Sequence, residues 1–421
     1  VRALARPLDV TTVQRKVAGL FSPRPHQGPL RLGAEIELLG HHAAGSVVPA
    51  QAAALEPLIR GPHLSRISAR DAMISFEPGA QLEFSTAPQP GLAALVGCVS
   101  AIAAAAIAAG RERDIRFIAS GTDPLAGRTA WPLAVDTPRY RVMQAHFDAL
   151  GPKGRCMMRQ TAALQVCVET SPSTAADTWL VLNHAGPALT ALFANSPVCA
   201  GRRSGEASAR TGIWLEADMT RTGFDGLQVD ARDPVDAYLP FAMHALAMPL
   251  PRDGRMLPGP ASVGFGDWID SDAGVDDADV EHHLSTLFPP VRPRGDYFEV
   301  RYLDALPLRF AVVALITVAV LAHDDGARAA ARESLGHTPP DSEAWRRAAR
   351  YGVRDRAVVE QALLLLDIVI EALRRRPTAG TPGAARVVLE YRERFPESGR
   401  CPGDDLDDLL RLDPEGLSAW I

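Results

Sequence analysis

Lysine is almost missing from this chain. Of its 44 basic residues only Lys16 and Lys153 are lysine, and the rest are arginine. Neither lysine follows a glycine-rich strand-to-helix turn, which excludes a Walker-type phosphate loop. A Schiff-base lysine has only those two candidates. Phosphate, if this protein handles it, falls to arginine forks and metal ions. Cysteine is scarce too: Cys98, Cys156, Cys167, Cys199 and Cys401 are scattered, odd in number and without C-x-x-C spacing. That argues against a disulfide framework or zinc ribbon and for a reducing, cytoplasmic setting. No signal-peptide core opens the sequence. The formal charge is −6, so no basic footprint suits a nucleic-acid backbone. Long apolar runs are few. Residues 92–109 are mostly alanine and residues 310–322 are too short to span, so both read as buried helices rather than membrane spans. H-E-x-x-H, G-x-S-x-G and G-x-G-x-x-G are all absent. The pairs His41/His42 and His282/His283 have no partners at zinc-site spacing.

What remains is an average globular composition, 47% hydrophobic and 22% charged over 421 residues, enough for a substantial core. Residues 1–29 read as a helix followed by a proline-rich lead-in. Residues 31–39 alternate: Leu32, Ala34, Ile36 and Leu38 oppose Gly33, Glu35 and Glu37, a period-two strand with two carboxylates on one face. Residues 74–76 and 81–85 form an extended pair around Glu77-Pro78-Gly79, a turn signal. Strands are also expected at 115–120, 161–169 and 297–304, and helices at 92–109, 175–194 and 233–248. From residue 308 the pattern is helical almost to the end, broken at 377–383. This predicts an α+β protein with a helical C-terminal part.

The unusual feature is acid on strand faces. Glu35, Glu37, Glu83 and Glu299 lie on the polar sides of predicted strands, and Glu77 lies on the adjoining turn. If the strands share a sheet, these carboxylates converge, repel, and call for a hard divalent cation such as Mg²⁺ or Mn²⁺. On alternation alone an ordinary solvated face is the commoner case. Trp214, Trp268 and His283 read first as structural residues.

Five segments in order carry a resemblance. LGAEIEL at 32–38, FEPGAQLEFS at 76–85, MMRQTAALQV at 157–166, SARTGIW at 208–214 and HLSTLFPPVRPRGDYFEVRYLDALP at 283–307 resemble motifs of the plant and bacterial glutamate–cysteine ligase family. GTDPL at 121–125 and the FPPVRPR run are similar to the actinobacterial branch serving ergothioneine synthesis. The resemblance implies a glutamine-synthetase-like cupped antiparallel sheet with an acidic concave face, flanked by helices. It implies a ligase core over 1–310 and a packed helical part over 311–421, one continuous domain. The activity implied is ATP-dependent: the γ-carboxyl of glutamate is phosphorylated and the amine of cysteine displaces phosphate. Under it, Glu35, Glu37, Glu77, Glu83 and Glu299 form the Mg²⁺ shell. Arg301 meets the transferring phosphoryl group beside Glu299, and Arg210 takes the α-carboxylate of glutamate. Trp214, Gln165 and Thr161 line the substrate site, and Gln81 with Arg301 meets the nucleotide.

The sequence departs from the family pattern at Ala80 for glycine, Phe84 for leucine, Cys167 for asparagine and Glu169 for aspartate. Cys167 shares a face with Gln165, and a thiol cannot reproduce an amide's hydrogen bonds. The amine therefore stays open. Other readings are a relative using a different amine or acid, a non-catalytic homologue binding ATP or amino acids, and a metal-dependent hydrolase or transferase.

Overall fold

The computed structural model describes the chain except residues 1–9, 43–48, 225–226, 228, 230–231, 253–254, 258–261, 272–274, 337, 377–382, 414–415 and 418–419. Part of the N-terminal helix expected from the sequence thus lies outside the described residues, and a helix covers Val10–Leu20.

Seven strands build one antiparallel sheet: β1 (Leu32–His42), β2 (Ala72–Phe76), β3 (Leu82–Thr86), β4 (Ile115–Ile118), β5 (Ala163–Glu169), β6 (Val291–Pro293) and β7 (Tyr297–Asp304). Their order is β6-β7-β5-β1-β3-β2, with β4 on the far half of β1. Register follows the alternation: Glu37 stands opposite Glu83, and Glu35 opposite Gln165 and Ser85. Because side chains alternate with period two, this register puts every strand carboxylate on one face. The other face is apolar, with Ala34, Leu38, Leu82, Phe84, Leu164, Val166, Val168, Phe298 and Val300 all buried.

Helices cover that apolar face. The run Leu92–Arg111 (α1) is a 20-residue helix, long and apolar enough in composition to cross a membrane. Here Leu95, Val99 and Ile102 bury into the cores beneath the sheet. Pro138–Leu150 (α2), Pro152–Gln160 (α3) and Ala209–Ala217 (α4) border the polar face. Leu308–His323 (α5) and Arg356–Arg375 (α6) belong to the C-terminal helices. Buried residues of α5 and α6 share one apolar cluster with Val166, Val168 and Val300 of the sheet.

Two expectations need correction. The helix expected over 175–194 is two, Ala175–His184 and Gly186–Leu192, divided just before Pro187. Proline cannot continue the hydrogen-bond ladder, and a Cβ on Gly186 would come within 2.1 Å of Trp345. The strand expected over 161–169 begins two residues late, at Ala163. Met157–Gln160 ends α3, and only from Ala163 does the chain join the sheet. Met157 and Met158 of that helix share an apolar cluster with Phe147 of α2.

Candidate active site

A cavity of about 350 Å³ lies on the polar face of the sheet. Its floor carries Glu35 and Glu37 of β1, Glu83 of β3, Gln165 of β5 and Arg301 of β7, and Glu77 enters from the β2–β3 turn. Its wall is Tyr140, Met143, Met157, Met158, Trp214 and Phe288.

The turn that brings Glu77 in is tightly specified. Glu77 N–H donates to Gln81 O at 3.0 Å, and the Gln81 side chain accepts from Gly79 N–H at 2.9 Å and donates to Thr161 O at 2.6 Å. Gly79 passes so close to α3 that a Cβ there would sit 2.1 Å from the Arg159 carbonyl oxygen. Ala80 adopts φ 63°, the left-handed region that glycine occupies without strain. A buried pair fastens the turn to its neighbours. Arg128 Nε donates to Asp123 at 2.5 Å, while its other nitrogens reach Gly79 O at 2.8 Å and Gly40 O at 2.9 Å. His41 completes the cluster, 2.9 Å from Asp123. The GTDPL segment thus works as a brace between β1 and the Glu77 turn.

On the floor of the cavity the carboxylates crowd. Glu37 accepts from Ala163 N–H at 2.9 Å and lies 3.4 Å from Gln165 Nε2. Glu83 accepts from Ser75 and Ser85 hydroxyls at 2.9 and 3.1 Å. Burial, and then the charge of Glu83, pushes the Glu37 carboxyl up. Burial followed by Glu37 and Glu83 pushes Glu77 well above the carboxylate range. Burial and then Glu299 push Glu35 up to about 7. Among the described residues no three His, Cys, Asp or Glu side chains stand ready as a ligand cage. The donor set nevertheless fits a hard divalent ion: oxygen-only, clustered, and destabilised by its own repulsion.

Glu299 is different. Although burial alone would raise its carboxyl, Arg292, Arg301 and Arg294 hold it below the usual range. Arg292 approaches it at 2.6 Å, Arg294 at 3.1 Å and Arg301 at 3.2 Å. The five carboxylates expected in one metal shell therefore spread out: Glu37, Glu77 and Glu83 crowd together, Glu299 sits among guanidinium groups, and Glu35 lies between, repelled first by Glu299 and then by Glu83.

Arg210 enters from the first turn of α4. Ser208 caps that helix, accepting from Thr211 N–H at 3.1 Å, and its hydroxyl donates to Asp304 at 2.9 Å. Asp304 also accepts from Asn195 N–H and the Ser196 hydroxyl at 2.8 and 2.7 Å. Arg210 is 3% exposed, donates to Arg301 O at 2.7 Å, and leaves Nε without a partner. Trp214, one turn on, has its ring 5.4 Å from that guanidinium and its Nε1 unpartnered. Arg301 donates to Gln165 Oε1 at 2.5 Å. Unpaired polar nitrogens in a buried wall are what a ligand with acceptor oxygens would satisfy.

All the site residues that the resemblance implied line this cavity except Glu299, which bonds to three of its arginines. The hydrogen bonds of Thr161 and Gln81 run to backbone atoms, Thr161 Oγ1 to Met157 O at 2.7 Å. The sequence reading missed Arg292, Arg294, Arg139 and Tyr140. The first two stood in the FPPVRPR run without a role; the others gave no signal. Cys167 lies next to Gly33 and Glu299 in register and lines a second cavity of about 340 Å³, which Glu35 shares. His283 is structural, stacked 3.7 Å from Phe265 and bonded to Ala242 O.

The pattern of glutamate–cysteine ligase family 2 matches residues 31–417. The chain belongs to that family. It is 32% identical to the glutamate–cysteine ligase EgtA of Mycolicibacterium smegmatis, over 99% of this chain and 96% of that protein. The EgtA ligase of Mycobacterium tuberculosis is 34% identical over 80% and 77%. A glutamate–cysteine ligase of Francisella tularensis, solved with AMP, shares the fold at a TM-score of 0.57 and 14% identity, over 93% and 87% of the chains. Family membership agrees with the antiparallel sheet and its acidic face, and the solvated-face reading is set aside.

Proposed function

We propose that this glutamate–cysteine ligase family member joins glutamate to cysteine at the expense of ATP, through γ-glutamyl phosphate, in the cytoplasm. The observation that carries the reading is a single cavity lined by both crowded carboxylates and arginines and floored by the motif residues of the family. The γ-carboxylate oxygen of glutamate attacks the γ-phosphorus of ATP and ADP leaves. The cysteine amine then attacks the acyl carbon, loses a proton, and expels phosphate.

The protein's part is positioning and charge. Arg210, with its free Nε, holds the α-carboxylate of glutamate against Trp214. Arg301, fixed by Gln165 and Glu299, faces the transferring phosphoryl group. Glu35, Glu37, Glu77 and Glu83 are the residues that would hold Mg²⁺ or Mn²⁺. When bound, the ion neutralises charge on the phosphates. The methionine and aromatic wall excludes water, which would otherwise compete with the amine for the acyl phosphate.

ADP release by the purified protein, with Mg²⁺-ATP and glutamate against a panel of amines, tests this. ADP that requires both glutamate and cysteine, with γ-glutamylcysteine in the products, is the expected result. ADP with another amine would keep the mechanism and replace the substrate. No amine-dependent ADP would overturn the proposal.

A further inference from the structure

The turn that carries Glu77 is held by a segment that lends the cavity no side chain. Along the chain the cavity lining passes from Glu83 straight to Arg139, and residues 121–134 take no part in it. Yet Thr122, Asp123 and Arg128 of that segment are buried. Its loop is fixed from within. Gln160, at the end of α3, accepts from Arg128 N–H at 2.7 Å and donates to Asp123 O at 3.1 Å and Ala126 O at 2.8 Å. The Asp123 carboxylate accepts from Leu125 and Ala126 N–H groups at 2.9 and 3.0 Å. From this frame the segment grips the turn twice. Arg128 donates to Gly79 O at 2.8 Å, and Ala134 N–H donates to Pro78 O at 2.9 Å. A second nitrogen of Arg128 holds Gly40 O of β1 at 2.9 Å.

A buried ion pair such as Asp123–Arg128 is weak ground for stability, since an apolar pair of similar volume commonly serves as well. What it adds here is geometry. One planar fork ties together two carbonyls, the first three residues beyond Glu37 and the second two residues beyond Glu77. The Arg159 carbonyl closes in on Gly79 as well, leaving the turn no room to move against α3. Glu37, Glu77 and Glu83 repel one another. Glu37 and Glu83 stand on paired strands, so the turn bearing Glu77 is the element that would yield. A turn free to swing outward would relieve the repulsion and scatter the oxygens. A hard cation is served best by oxygens already in place, and groups behind the ligands that fix them are worth about 10- to 100-fold in affinity.

Resting on the ligase reading for the identity of the ion, we infer that Arg128 is a positioning residue for the divalent cation. With Asp123 and His41 behind it, Arg128 holds the Glu77 turn at a fixed place beside β1 and so sets the affinity of the acidic floor for Mg²⁺ or Mn²⁺. The full chain is titrated calorimetrically with Mn²⁺, without substrates, as wild type, Arg128→Lys, His41→Gln and Val369→Ala. Arg128→Lys keeps the charge beside Asp123 and loses the fork, and its Mn²⁺ affinity should fall by about 10- to 100-fold. His41→Gln reaches the brace through Asp123 and should shift the affinity in the same direction by less. Val369→Ala empties space in the buried face of α6, outside the braced segment, and should lower the melting temperature without moving Mn²⁺ affinity. In turnover assays Arg128→Lys should raise the Mg²⁺ concentration for half-maximal rate by a similar factor, with KM for glutamate near wild type. Unchanged Mn²⁺ affinity in Arg128→Lys, or in His41→Gln where the lysine variant does not fold, would overturn the assignment. So would an equal loss in Val369→Ala, or a wild type that binds no Mn²⁺. A wild type that binds Mn²⁺ in dependence on Arg128 and makes no γ-glutamyl product would uphold the positioning role and remove the ligase reading.

Discussion

Replacing Arg210 by lysine separates charge from geometry at the glutamate site. The arginine is almost fully buried, spends one nitrogen on Arg301 O at 2.7 Å, and keeps Nε unpaired. A bound α-carboxylate can therefore be held by a fork with the remaining nitrogens. Lysine supplies the same charge from one point, so about one charge-assisted hydrogen bond is lost, on the order of 1.5–3 kcal/mol. At about 1.4 kcal/mol per decade this predicts a rise in KM for glutamate of about 10- to 150-fold. Under the proposed assignment, which gives Arg210 the glutamate carboxylate and Arg301 the phosphoryl group, the effect should fall on glutamate. The assay is steady-state turnover with glutamate varied at saturating ATP and cysteine, then each of those varied in turn. The expected pattern is a large change for glutamate and little for ATP. A thermal melt of the variant checks that α4 is intact, since the Ser208 cap and its Asp304 contact are untouched. Unchanged glutamate dependence in a folded variant would refute the assignment.

Glu83→Gln removes one charge from the acidic floor without changing shape; turnover should be abolished while the circular dichroism spectrum is kept, and near-wild-type activity would remove Glu83 from metal binding. Ala80→Gly should stabilise the protein by about 1 kcal/mol, because a non-glycine residue at φ 63° carries strain that outweighs glycine's extra freedom when unfolded. A higher denaturant midpoint with unchanged slope is the expected result, and a lower midpoint contradicts it. Asp123→Asn should cost about 3–5 kcal/mol by leaving Arg128 buried and unpaired. Burial alone would raise the Asp123 carboxyl, but Arg128 first and then His41 hold it well below the usual range. Its stabilising share is therefore complete above about pH 4, the unfolded carboxylate value, and fades as pH falls further. The stability gap between wild type and Asp123→Asn, measured by denaturant unfolding, should narrow below that pH.

Much of the site was legible because strand alternation is a local rule. A glutamate at every second position of β1 must face one side, so Glu35 and Glu37 were paired before any tertiary contact was known. The family motifs then supplied order along the chain. The divided helix carried a local sign, Pro187, whereas the late start of the strand expected over 161–169 follows a helix whose Met157 and Met158 cluster with Phe147.

The sequence by itself determined the acidic strand face, the arginine supply that replaces lysine, and the family. Only the tertiary structure decided which charges meet. Register sets Glu37 against Glu83 and Arg292 against Glu299, and neither pairing can be read from spacing. Electrostatic energy depends on distance and burial, which the chain acquires only when β1, β3, β5, β6 and β7 lie side by side. That is why similar glutamates end in unlike environments, Glu37, Glu77 and Glu83 repelling one another and Glu299 held among arginines, with Glu35 between them.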